Sequence, residues 1–210
     1  MEKNVFVFMF NGPPNSGKDF IANSVAENLY ALGFKADVLS ASAILDNEVS
    51  EWFGVAVEDF VALAYNRDTK DVRLEQLGCR SPREAKIYFS EQVQKVRHGS
   101  DYYGKKTATA VLDIVDASEN NPVVVFVTGV GFDAEVEAMS SIFESRFGKG
   151  AVTSIVRIYR SGCSFENDSR QYVYRVTANN PARKDMSVTN DGAYLGIEEA
   201  QRKILEVILG

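Results

Sequence analysis

The sequence predicts an α/β protein, a doubly wound and mainly parallel five-stranded sheet flanked by helices. Three observations lead to that class. The run Val5-Phe6-Val7-Phe8-Met9-Phe10 is continuously apolar, as a parallel strand buried on both faces requires, and Val123-Val124-Val125-Phe126-Val127 repeats the pattern. Segments with helical apolar spacing alternate with such runs along the chain. The first strand also leads straight into a glycine-framed loop, Gly12-Pro13-Pro14-Asn15-Ser16-Gly17-Lys18-Asp19, which opens a helix.

Each element follows in order. After the loop, Ile21, Val25, Leu29 and Leu32 fall on one helical face, and Gly33 is placed to cap the end. Lys35-Ala36-Asp37-Val38-Leu39 reads as the second strand, and a helix from about Ala43 to Phe53 stops at Gly54. Residues 55–118 are helical in character. Within them Ser81-Pro82-Arg83-Glu84 has the form of a helix start, with a capping Ser, Pro at the first position and Glu following. Asp133 opens a helix whose apolar face carries Val136, Met139, Phe143 and Phe147, and Val152 to Tyr159 is the next strand. Residues 161–185 are irregular, polar and Arg-bearing. A short strand at Ser187-Val188-Thr189 leads to the last helix, where Ile197, Ala200, Ile204 and Ile208 recur at helical spacing.

With 210 residues and 45% hydrophobic content, the chain is long enough to bury a proper core and is expected to form a single domain. A formal net charge of −6 and a pI near 5.0 exclude a global attraction for nucleic acid polymers or anionic membranes. Cys79 and Cys163 are far apart and lack metal-ligand spacing, which suits free thiols in a reducing compartment. The apolar N-terminal run is too short for a signal peptide, and no segment reaches membrane-spanning length. A soluble, cytoplasmic protein is expected.

The loop carries the chemistry. In a G-x-x-x-x-G-K pattern the two glycines let the backbone wrap a phosphate chain, and the following helix N-terminus adds positive potential. A strand before and a helix after are the context that separates a phosphate loop from an incidental Gly/Pro turn. Gly12, Asn15, Ser16, Gly17, Lys18, Asp19 and Phe20 are therefore candidates to hold a nucleoside triphosphate, with Lys18 against its β- and γ-phosphates. The pattern asks next for Ser or Thr, whose hydroxyl binds Mg²⁺; here Asp19 and then Phe20 follow. Asp19 supplies a hard oxygen for the ion, directly or through water, and Thr128 and Asp133 are further oxygen sources.

Gly17-Lys18-Asp19 resembles the phage-type deoxynucleoside monophosphate kinases, whose loop commonly ends Ser-Gly-Lys-Asp and continues with Thr. The resemblance spans most of the chain through Trp52-Phe53-Gly54, Arg67-Asp68-Thr69-Lys70, Ser81-Pro82-Arg83-Glu84, Glu91, Asp101-Tyr102-Tyr103 and Thr189-Asn190-Asp191-Gly192. It implies ATP- and Mg²⁺-dependent phosphoryl transfer to a deoxynucleoside 5′-monophosphate, as nucleotide supply for phage DNA synthesis. It further implies that residues 55–118 form an acceptor-binding helical insertion, that 161–185 form a lid, and that the protein is a homodimer. Asn190, Asp191 and Gly192 then lie near the adenine of the donor. Lys70, Arg83, Glu91 and Asp101 fall to the acceptor.

Physical reasoning supports several of these assignments. Such a kinase holds two anions end to end and works by positioning and cationic screening. Arg83 offers a bidentate fork and Lys70 a point charge for the acceptor phosphate, the alternative being solvated surface cations. In or beside the lid-like segment, Arg160, Arg170 and Arg175 are candidates to stabilise the transition state, Arg160 first because it directly follows a strand. The middle of the chain interleaves Lys86, Lys95, Arg97, His98, Lys105 and Lys106 with Tyr88, Phe89, Tyr102 and Tyr103. Basic residues with aromatics can grip single-stranded DNA, but the solvated side of packed helices is the simpler reading.

The chain departs from the family pattern at several points. The strand Val123–Val127 should lead into an Asp-x-Arg segment and instead continues to Gly129-Val130-Gly131-Phe132; Asp46 stands where a Lys is usual; Phe20 replaces the Thr. These losses leave two alternatives beside the leading function: a kinase acting on a modified base, free or in DNA, and a nucleotide-binding protein with little or no turnover.

Overall fold

In a computed structural model, which describes residues 4–166, 168–174, 184–192 and 194–210, the chain divides into two compact units. One comprises residues 4–40 with 104–210, and the other residues 41–103. Among the described residues, no helix is long and apolar enough to cross a membrane.

The first unit is the sheet. Its strands are β1 (Val5–Asn11), β2 (Ala36–Ser40), β3 (Val123–Val130), β4 (Ala151–Tyr159) and β5 (Met186–Thr189), in the order β2-β3-β1-β4-β5. Every pairing is parallel, so the sheet is more uniform than the mainly parallel one expected. All seven residues of β1 are buried, which is the physical content of its unbroken apolar run. Phe6, Phe8 and Phe10 face one side, where Val124, Phe126, Val156, Ile158 and Val188 join them. Against that face lie Ile21, Val25 and Leu29 of helix α1 (Lys18–Ala31) and Ile197, Ala200 and Ile204 of helix α8 (Leu195–Leu209). Leu32, expected on the buried face of α1, is 54% exposed. The helix ends at Ala31, and Gly33 turns the chain with φ 87 before the helical face comes round again. On the opposite side Val7, Met9, Val125 and Val127 are buried as completely, as are Val136, Met139 and Phe143 of helix α7 (Asp133–Phe147).

β1 and β3 lie side by side in register until their carboxyl ends. There Phe10 faces Thr128 but Asn11 faces Val130, so Gly129 is bulged out with φ 85. A parallel sheet presents its ligands at these carboxyl ends.

The second unit is helical: α2 (Ala41–Phe53), α3 (Val57–Tyr65), α4 (Pro82–Ile87) and α5 (Lys95–His98), with a π-helical stretch at Tyr88–Gln94. Its core is Val49, Phe60, Leu77, Ala85, Phe89 and Val93. Ser81 caps α4 as expected, in a full capping box: Glu84 N–H donates to Ser81 Oγ at 3.2 Å, and Ser81 N–H donates to the Glu84 carboxylate at 2.9 Å. The π-helical stretch has no signal in the apolar spacing. The unit also differs in extent from the 55–118 segment. It begins with α2, and helix α6 (Tyr102–Ala117) from Gly104 onward belongs with the sheet.

Candidate functional site

β1 ends at Asn11 and α1 starts at Lys18, so the glycine-framed loop is the turn between them. Ser16 N–H donates to the Pro13 carbonyl at 3.2 Å, and Ile21 N–H donates to the Gly17 carbonyl at 2.9 Å. The turn passes through the left-handed region at Asn15 (φ 64) and Gly17 (φ 85). At Gly12 a Cβ would stand 2.7 Å from Ser16 Oγ and 2.9 Å from the Ile158 carbonyl, so only glycine fits. Lys18 is 8% exposed. Burial lowers its pKa, the Asp19 carboxylate at 3.4 Å raises it, and the positive charge of Arg170 lowers it further. A buried cation beside the unpaired amides of a helix N-terminus makes an anion site. Ser16 Oγ, buried and without a hydrogen-bond partner among the described residues, lies in the same turn.

Residues distant in sequence brace this loop. Asn190 Nδ2 donates to the Ser16 carbonyl at 2.7 Å and fills the space where a Cβ of Gly17 would sit, 2.4 Å away. Its own N–H donates to the Tyr159 carbonyl at 2.7 Å, tying the loop to β4. Asp191 accepts the Ser161 N–H at 2.8 Å, and this bond holds its carboxyl below the usual carboxylate range. At Gly192 a Cβ would meet Leu195 at 3.5 Å, an ordinary contact, so no steric reason requires glycine there.

Of the candidate arginines, Arg160 donates to the Asn15 carbonyl at 3.1 Å and so supports the loop from outside. Arg170 is the one whose charge Lys18 and Asp19 feel. The Asp168 carboxylate grips it bidentately, Nε to Oδ1 at 2.8 Å and Nη2 to Oδ2 at 2.6 Å. Burial works against the guanidinium charge, but Asp168, with Asp19 and Glu135 near, outweighs it and raises the Arg170 pKa. Arg175 lies outside the described residues, as does much of the 161–185 segment.

The described part of that segment is tied down across the sheet's carboxyl end. Buried Asn11 donates Nδ2 to the Val130 carbonyl at 2.8 Å and to the Gln171 carbonyl at 3.0 Å, and accepts the Val173 N–H at 3.0 Å. Arg157 donates to the Val173 carbonyl at 2.6 Å and to Asp185 at 2.8 Å. Tyr172 stacks on Tyr159 with centroids 4.6 Å apart, and burial leads the causes that push its phenol up to about 12. Sequence reasoning missed Asn11 and Asp168. An Asp two residues before an Arg was the available signal for the second.

Mg²⁺ bound with a nucleotide takes few protein ligands, since phosphates and water complete its octahedron. Among the described residues no three acidic, His or Cys side chains converge as a metal-ligand set. The Asp19 side chain, 61% exposed beside Lys18, fits the role of a single carboxylate facing a phosphate-bound ion. Thr128 is buried at the end of β3, and Asp133 Oδ1 is buried without a hydrogen-bond partner among the described residues. Phe20 carries its ring outward, 60% exposed.

In the helical unit Lys70 and Arg83 come together around one carboxylate. Arg83 Nε lies 2.7 Å from Asp71 Oδ1, Lys70 Nζ lies 3.9 Å from Asp71 Oδ2, and Arg83 N–H donates to the Lys70 carbonyl at 3.2 Å. Glu91 is occupied locally, accepting from Lys95 at 3.0 Å and from Ser90 at 3.1 Å. Asp101 precedes α6, its Oδ1 over Gly99. Asp46 is buried in an ion pair with Lys86 and accepts the Tyr65 hydroxyl at 2.6 Å. The basic and aromatic residues of the middle region largely serve one another: Arg80 lies over Tyr88 at 3.9 Å, Arg97 over Trp52 at 5.4 Å, and His98 stacks on Tyr102.

No protein-family model and no curated protein matches the chain. Solved structures do. The APS kinase CysC of Mycobacterium tuberculosis, in complex with AMPPNP and APS, is similar with a TM-score of 0.50 and 13% identity over 100% of both chains. A protein designated APE1195 is similar with a TM-score of 0.51 and 15% identity, over 100% of this chain and 97% of that one. Such low identity speaks for the fold alone. The chain thus shares the parallel α/β fold of a kinase solved with a nucleotide, and its glycine-framed loop stands between the first strand and first helix of that fold.

Proposed function

We propose that the protein is a phosphotransferase that moves the γ-phosphoryl group of ATP, with Mg²⁺, to the 5′-phosphate of a deoxynucleoside monophosphate. The observation that carries this reading is the buried Lys18 in a glycine-framed turn at the carboxyl end of β1. The backbone of residues 12–17 wraps the phosphate chain, and Lys18 holds its ammonium against the transferring group. A bound Mg²⁺ would supply charge neutralisation and orient the phosphates, with Asp19 as its protein ligand. Arg170 adds a second cation where negative charge develops.

For the acceptor, Arg83 and Lys70 grip the monophosphate, which competes with Asp71 for both cations. The neighbouring kinase solved with AMPPNP and APS lends support, since its two nucleotides are donor-like and acceptor-like ligands on the same fold. The phage role and the choice of a deoxynucleotide rest on the sequence resemblance. A panel of deoxynucleoside monophosphates with ATP and Mg²⁺ tests the reading. ADP release that depends on one or more of them, and that Lys18→Ala abolishes, supports it. ATP binding without acceptor-dependent ADP would leave a nucleotide-binding protein instead.

A further inference from the structure

Gly129 and Gly131 both stand at the end of β3, yet they are glycine for different reasons. Gly129 needs the backbone freedom, being bulged out at φ 85. Gly131 has no such φ. What it lacks is room: a Cβ there would lie 2.4 Å from Arg170 Cβ, 2.5 Å from Cγ and 2.7 Å from Cδ. The stem of Arg170 therefore lies flat on the Gly131 Cα, in the volume that any side chain at 131 would occupy.

The contact is fixed from several directions. Gln171 N–H donates to the Gly131 carbonyl at 3.1 Å, so the backbone beside Arg170 is bonded to the residue it covers. Arg170 N–H donates to Asp168 Oδ1 at 3.0 Å, and the Asp168 side chain, 6% exposed, holds the guanidinium through Nε and Nη2. An alanine at 131 would displace the near end of the side chain and not a flexible tip, so adjustment cannot be confined to the guanidinium. Among the described residues Nη1 has no hydrogen-bond partner, and the adjoining Gln171 carbonyl accepts from Asn11, the last residue of β1 before the loop, at 3.0 Å, which sets Arg170 beside the loop, where its charge reaches the Lys18 ammonium. Two cations brought close, one buried and one half-buried, favour a polyanion between them.

We infer that Gly131 and Asp168 are positioning residues that set Arg170 in advance as a second fixed cation of the phosphate site, so that the segment after β4 supplies a charge the end of β3 does not carry. The inference rests on the phosphate-site reading above and adds how its second cation is held. Arginine held this way is ready before ligand arrives, and no ordering cost falls on binding.

The test is a double-mutant cycle on binding of Mg²⁺–ATP, read by calorimetry, with inorganic tripolyphosphate as a probe that lacks the base. Arg170→Ala should weaken both ligands about tenfold or more, the loss of one charge-assisted phosphate contact. Gly131→Ala alone should weaken them by a similar factor. In the Arg170→Ala background, where the space is vacant, Gly131→Ala should change nothing further. Asp168→Asn should fall between, since the amide keeps the shape and loses the charge. Thermal unfolding of each variant separates a displaced arginine from a collapsed fold. Unchanged affinity in Arg170→Ala, or an equal cost of Gly131→Ala in both backgrounds, would overturn the inference and leave the kinase reading standing. Binding with the expected coupling but no acceptor-dependent ADP would instead sink the kinase reading alone.

Discussion

In the sheet unit the two cations at the glycine-framed loop are held in place, buried Lys18 by its position in the turn and half-buried Arg170 by Asp168 and Gly131. In the helical unit Lys70 and Arg83 share Asp71, whose side chain is 56% exposed. The first arrangement is set before any ligand arrives and costs little to use. The second is a partly exposed network, where solvent screens each pair and one carboxylate stands between the two cations. The difference teaches where specificity is adjustable: under the proposed function the donor end is built into backbone and burial, while the acceptor end is a few side chains that can be re-paired.

Lys18→Ala gives the largest effect, a loss of about two to three orders of magnitude in turnover, measured by steady-state ADP formation. A smaller loss would mean that the loop backbone alone does the work assigned to its lysine. Next, Arg83→Ala should raise the acceptor KM about tenfold and leave ATP affinity unchanged. Equal loss at both substrates would erase the contrast between the units. Asp71→Asn sharpens the same point in the opposite direction, since removing the competing negative charge beside both cations should lower acceptor KM a few-fold.

A third comparison uses pH. Burial lowers the Lys18 pKa from 10.5, and only its charged form serves the phosphates. ATP affinity should therefore fall as pH rises through a value below 10.5, while this group's contribution to the stability of the free protein rises over the window between its folded and unfolded pKa values, where the unfolded state binds more protons. Calorimetric binding and chemical denaturation across alkaline pH read the two slopes, and parallel slopes would contradict the assignment. The smallest effect is at Asn190. Asn190→Ala removes the bond to Ser16 and should cost about 1 kcal/mol of stability, with a modest loss of ATP affinity.

The same contrast explains what was legible in the sequence. β1, the loop and α1 could be read because their signals are local: an apolar run, two glycines and helical spacing within a short stretch. The capping box at Ser81 and Glu84 is local too. Asp19 and Lys18 are chain neighbours, so their pairing was nearly implied. By contrast, Arg170 meets Gly131 through a crossing of segments far apart in sequence, and neither residue announces the other. That is why the glycines at the end of β3 read from sequence as missing charges, and why Arg160, next to a strand, ranked above Arg170. The structure uses Arg160 to support the loop and brings Arg170 toward Lys18. Asp46 teaches the same lesson in the helical unit. It stands where the family resemblance expects a Lys, and Lys86 from another helix pairs with it, with the Tyr65 hydroxyl donating to the same carboxylate. Leu32 failed for a local reason, because the helix stopped before the apolar spacing did.

The central claim is that the γ-phosphoryl group goes to a second nucleotide and not to water. Phosphorus NMR of ATP, Mg²⁺ and a deoxynucleoside monophosphate incubated with the protein tests it most directly. The account predicts resonances of a new deoxynucleoside diphosphate rising in step with those of ADP, and absent with Lys18→Ala. ADP accompanied only by inorganic phosphate, at the same rate with and without the acceptor, would contradict it.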